Sequence, residues 1–220
     1  MKRILIYFGL TMAMFCSVGC KKEAEQPTSF SAPQEAANKA KNDLLTVLRS
    51  RKEIALGLEE QTIEKSQPGT PIRQYQITFE DLASADSFTA LQRNELATVV
   101  PLVADGSVAT IVAVAKDEAG WKVTSLADKS LSSELDVVRK AASPQAEIAI
   151  YDLPHSGVKV YGVTQPAVAG TSGAGFYTNY TGFNLREAVP AERLLPVLKQ
   201  DAAEFQRTYG EELKRQKVVR

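Results

Sequence analysis

Cysteine and histidine are scarce in this chain: its 220 residues hold two cysteines, Cys16 and Cys20, and one histidine, His155. Zinc sites built on several imidazoles are therefore excluded. Charge of one sign is lacking as well, because 26 basic residues face 26 acidic ones. No electrostatic footprint for nucleic acid survives that balance. The one cationic cluster, Leu213 to Arg220, reads as a solvated helix end. The apolar run from Ile4 to Phe15 falls short of the roughly 20 residues that a bilayer core requires. Also missing are the Gly-x-Ser-x-Gly elbow, the phosphate loop, the Gly-x-Gly-x-x-Gly fingerprint and the alternating Asp/Asn/Gly pattern of a calcium loop. Nothing in the chain points to a cofactor or a metal.

The amino-terminal residues carry the clearest signal. Lys2 and Arg3 precede the apolar run, which has the length of a secretory h-region. The next residues, Ser17-Val18-Gly19-Cys20, resemble the lipobox of bacterial lipoprotein precursors, with Ser17 standing where leucine is commonest. The resemblance implies cleavage between Gly19 and Cys20, a signal peptide over residues 1–19, and lipid on Cys20. Loss of Cys16 with the leader would leave no thiol for an internal disulfide, so the fold must rest on its apolar core. Lys21 occupies the sorting position, where the absence of aspartate favours the outer membrane if the host has two membranes. Polar residues with Pro27 and Pro33 make residues 20–34 a lipidated tether.

Residues 35–212 read as one α+β globular domain, with a sub-boundary near 143–145 as the alternative division. Its sheet is mainly antiparallel, with an N-terminal, a middle and a C-terminal helix packed on it. A capping box of Ser31 and Gln34 predicts a helix over about 33–51. Tyr75, Ile77 and Phe79 alternate as one face of a strand, and residues 85–97 suggest a short helix capped by Asp86 with Phe88 and Leu91 inward. Asp105-Gly106 between two apolar runs is a strong hairpin signal. The second run is apolar on both faces, as a covered central strand is. Another turn at 117–120 leads into a strand opening with Trp121 and Val123 as core. Ser132 or Ser133 would cap a helix lined by Leu131, Leu135, Val138 and Ala142, ended by Pro144. A further hairpin turns at 153–157, and an aromatic strand lies near 176–183. Leu194, Leu198, Ala202, Phe205 and Tyr209 mark the last helix, with Pro196 in its first turn and Gly210 as its stop.

Chemistry is harder to find. Asp152, His155 and Ser156 supply the residue types of a catalytic triad, but triads unite distant parts of a chain. Neighbours in a tight loop point apart, so a turn with a surface histidine is the reading preferred. The loop Gly170 to Phe176 has the form of a flexible loop, not of an anion nest, and the carboxylate pairs Glu59-Glu60, Glu80-Asp81 and Asp117-Glu118 read as solvated faces and turns. The aromatics of the last third read as core beneath the final helix; the other option is a binding groove formed by Tyr161, Phe176, Tyr177 and Tyr180. The expectation is a non-enzymatic, envelope-anchored lipoprotein that binds an envelope or secreted protein or peptide. A hydrolase of unrecognised type, with His155 as its only imidazole base, is the alternative.

Overall fold

The computed structural model describes residues 29–51, 57–143, 145–165 and 174–218, with side chains to Glu212. The signal peptide, Gly19, Cys20, Pro144 and most of the glycine-rich loop lie outside the described residues. Five helices and eight strands follow in order: α1 (Pro33–Ser50), α2 (Glu60–Lys65), β1 (Gln67–Pro68), β2 (Ile72–Gln76), α3 (Phe79–Ser84), β3 (Glu95–Ala104), β4 (Ser107–Asp117), β5 (Gly120–Leu126), α4 (Lys129–Ala141), β6 (Glu147–Asp152), β7 (Lys159–Thr164), β8 (Ala174–Thr178) and α5 (Ala191–Val218). The strands form one mixed sheet in the order β5-β4-β3-β2-β6-β7-β8, with the two-residue β1 beside β3. Among the described residues only β2 and β6 run parallel. The protein is α+β, and the strands on either side of residues 143–145 share this sheet.

Local chemistry explains most elements. Asp105 (φ 51°) and Gly106 (φ 78°) both take the left-handed conformation, which matches the turn to the twist of β3 and β4. Proline at the first helical position starts α1, so the N-cap is Ala32 and not Ser31. The expected box therefore closes one residue later: the N–H and hydroxyl of Ser31 both donate to Glu35 Oε2 (3.1 and 2.6 Å), and Gln34 is not its partner. Pro101 sits in mid-sheet, where a missing N–H is normally excluded. Its carbonyl accepts from Gly69 N–H (2.8 Å) on the side of β1 and β2. The absent donor faces that same side, where residues 69–71 link the two partner strands.

Five expectations need correction. Residues 85–97 form a 3-10 turn (Thr89–Leu91) followed by the start of β3, because Glu95 and Ala97 are taken by pairing with β2. The helix of this region is α3, which Thr78 caps by accepting from Asp81 N–H (3.0 Å); Phe79 belongs to it and not to a strand. Asp128, the better cap, begins α4 by accepting from Leu131 N–H (3.0 Å), leaving Ser132 and Ser133 within its first turns. In α5, Gly210 does not end the helix and Pro196 stands in its second turn. Both Pro196 and Glu192, whose carbonyl loses its partner, are exposed, so water can serve that carbonyl. Finally, Trp121 is half-buried and Val123 is exposed, because β5 is the sheet's edge; Trp121 exchanges both backbone bonds with Phe30 (2.9 and 2.8 Å).

Apolar side chains cover both faces. On the upper face α1 and α2 close over β3, β4 and β5 through Ala36, Ala37, Leu44 and Ile63. Farther along, α3 and α5 pack on Tyr75, Tyr151, Val160 and Phe176. The lower face is covered by Leu131, Leu135 and Val138 of α4, against Val99, Ile111, Ile150 and Tyr161. Central β4 is buried from Thr110 to Val114 between these layers, as a run apolar on both faces should be. Among the described residues no helix is long and apolar enough to cross a membrane.

Candidate functional site

Between the helices of the upper face, part of the sheet remains open. The opening is a cleft of about 420 Å³, within the range of about 300–1,000 Å³ typical of ligand sites. Its floor is made of small residues, Ala149, Gly162 and Ala174, contributed by β6, β7 and β8. Gly162 is required there: a Cβ would stand 3.1 Å from both Phe176 Cε1 and Tyr151 Cε2. The inner wall is aromatic. Phe88 stacks on Phe176 (centroids 4.0 Å) and meets Tyr151 edge-on (5.5 Å), while Tyr151 stacks on Tyr75 (5.8 Å). These rings are nearly buried, so they shape the wall without offering broad faces to a ligand.

Polar groups stand around the mouth. Gln92 donates from Nε2 to the Tyr151 hydroxyl (2.7 Å), whose pKa burial raises above the ordinary value while the Gln92 bond opposes the shift. Arg73, Glu147, Thr89 and Thr164 are exposed on the rim. The Arg73 pKa is raised, first by its hydrogen bond with Tyr75 and then by the Tyr75, Glu95 and Glu147 charges. Past the starts of β2 and β6 the cleft reaches Arg139 near the end of α4. Its Nε is buried with no hydrogen-bond partner among the described residues. The arrangement offers hydroxyls, an amide and two guanidinium groups around a small-residue floor, which suits binding.

His155 lies elsewhere, in a closed corner where the loop between β6 and β7 meets α5. Tyr180 donates from its hydroxyl to Asp201 Oδ2 (2.8 Å), and His155 Nε2 stands 3.1 Å from the same hydroxyl. With the phenolic proton directed at Asp201, Nε2 carries the imidazole hydrogen and Nδ1 is a bare acceptor. Nδ1 is buried without a partner. Phe79 and Phe205 flank the ring at 6.1 and 6.0 Å. Burial lowers the His155 pKa, with Asp201 pulling the other way; burial raises that of Tyr180, reinforced by its bond to Asp201. The histidine is thus half-buried, not a surface residue. Asp152 points to Gln74 and Lys159 (2.6 and 3.4 Å), and the Ser156 hydroxyl accepts from Val158 N–H (3.2 Å). The three triad types do not come together.

Tyr161, Phe176, Tyr177 and Tyr180 are all buried. Tyr161 and Tyr177 belong to the layer against α4, and Phe176 and Tyr180 to the layer against α5. Alternation along β8 sends neighbours 176 and 177 to opposite faces, so the four do not line one groove; of them only Phe176 touches the cleft. Sequence reasoning missed Arg73, Gln92, Arg139 and Glu147. The available signal for Arg73 was a charged residue alternating outward beside Ile72 and Gln74, a pattern shared by any solvated strand. Glu60 pairs with Arg49 (2.7 Å) and Asp117 with Lys122, as solvated carboxylates do; Glu35 and Asp117 have lowered pKa values, first through hydrogen bonds from Ser31 and Lys122 respectively. Among the described residues no group of three His, Cys, Asp or Glu side chains is placed to hold a metal ion. No protein-family model, curated protein or solved structure matches this chain.

Proposed function

We propose that this protein is a non-enzymatic lipoprotein of the cell envelope, tethered by lipid on Cys20, whose globular body binds a protein or peptide partner at the upper-face cleft. The observation that carries the binding reading is the cleft itself: an open, small-residue floor ringed by exposed polar side chains, between the helices that pack on the upper face. The lipobox-like residues support the anchor, and Lys21 favours the outer membrane of a two-membrane host. The hydrolase alternative fits less well. His155 has Nδ1 sealed in and Nε2 facing Tyr180, so it would have to leave its corner to reach a substrate.

Two experiments test the proposal. Cys20→Ser is expected to release the protein from membranes and abolish labelling by a fatty-acid analogue; unchanged retention contradicts the anchor. A photo-crosslinking residue at Thr164, on the cleft rim, is expected to give a reproducible protein adduct in cells. The same residue at Ser133, exposed on α4, is expected to give none. Equal adducts from both positions, or none from either, remove the binding reading.

A further inference from the structure

Arg139 and Arg73 share more than the cleft they line. Among the described residues neither forms an ion pair, although Arg49, Arg93 and Arg207 do. Arg139 goes further, since its Nε–H is withdrawn from water with no acceptor among the described residues. Buried donors are nearly always bonded, and one that is not calls for a specific explanation. The guanidinium edge formed by Nε–H and a terminal N–H matches the two oxygens of a carboxylate. Glu147 is the one carboxylate among the lining residues. Set against Arg73 and Arg139, it leaves the lining with a positive excess.

We infer that the cleft recognises a carboxylate carried on a peptide, received between Arg139 and Arg73 with the adjoining peptide over the Ala149, Gly162 and Ala174 floor. The assignment rests on the binding reading of this cleft and adds the chemistry of the ligand. Small side chains beneath the peptide allow its backbone to approach the sheet, while Thr89, Thr164 and Gln92 offer partners for its amides. A neutral glutamine in place of the acid would keep the shape and lose the charge-assisted bonds.

The test uses the purified protein and nuclear magnetic resonance of the Arg139 Nε–H and the Gly162 amide. The probes are an acetylated, amidated Ala-Glu-Ala peptide, its glutamine counterpart, and inorganic phosphate. The acidic peptide is expected to shift both signals, with half-saturation at a concentration about tenfold below that of the glutamine peptide. Arg139→Lys, which keeps the charge and removes the fork, and Arg73→Gln, at an exposed position, are each expected to weaken it by about the same factor. Equal binding of the two peptides, or no shift at Arg139, overturns the carboxylate assignment. Phosphate binding as strong as the acidic peptide's overturns the peptide part. A Thr164 adduct together with an unmoved Arg139 signal leaves the binding reading standing and removes this one.

Discussion

Over β3, β4 and β5 the upper face is shut, and over β2, β6, β7 and β8 it is partly open, yet beside each region a cation has a nitrogen withdrawn from water. In the shut region Lys41 of α1 is 9% exposed and donates from Nζ to the carbonyls of Glu64 (2.9 Å) and Ser66. These carbonyls end α2, where a cation is favourably placed. At the mouth of the open region the Arg139 Nε, reaching in from α4, meets no acceptor among the described residues. One cation is tied off by its own chain and serves the fold; the other lines the cleft with that nitrogen unpaired among the described residues. The source of the acceptor is what distinguishes the two.

Four changes would break or sharpen this contrast. Leu44→Ala empties a side chain only 2% exposed beneath α1 and should cost about 2–5 kcal/mol in urea unfolding. A cost under about 1 kcal/mol would mean that the shut region is loosely packed, against the typical range for buried leucine. Lys41→Met keeps much of the stem but strands two carbonyls, so a loss of about 1–3 kcal/mol is expected. Hydrogen exchange should then quicken first in α2.

The pH dependence comes next in size. Burial holds His155 below its usual pKa of about 6.5, so the folded chain binds fewer protons than the unfolded one. The stability His155 contributes is complete above that usual value and is lost as pH falls through the folded one. His155→Leu should flatten the fall in unfolding midpoint that wild type shows below about pH 6.5. The lowered carboxylates Glu35 and Asp117 act only at more acidic pH, near and below 4.5 and 3.8. An unchanged slope in the variant would show that the His155 corner does not respond to protons. Smallest of all, Thr164→Ala on the cleft rim should alter stability by less than about 0.5 kcal/mol. A loss comparable to that of Leu44→Ala would mark the cleft as part of the packing.

Elements with their own local signal were legible. The Asp105-Gly106 hairpin, the apolar stripe of α4 and the hairpin turning at 153–157 all follow from neighbours within a few residues. Boundaries were less so, because Pro33 displaced the α1 cap and pairing with β2 claimed residues at the start of β3. The groove of three tyrosines and one phenylalanine failed for a reason already present in the strand period, which sends Phe176 and Tyr177 apart. Arg73 and Arg139 were invisible as a pair: 66 positions separate them in the chain, and each alone looks like an ordinary solvated cation.

By itself the sequence determined the fold class and most of the hairpins and helices, since turn chemistry and side-chain period act over short stretches. It also holds the lipobox-like residues, whose meaning needs no fold. The tertiary structure decided the rest: the parallel pairing of β2 with β6, the removal of His155 into a corner with Tyr180 and Asp201, and the gap between helices that exposes the cleft. Those outcomes depend on where whole elements pack against one another, and long-range packing leaves no periodic mark on the chain.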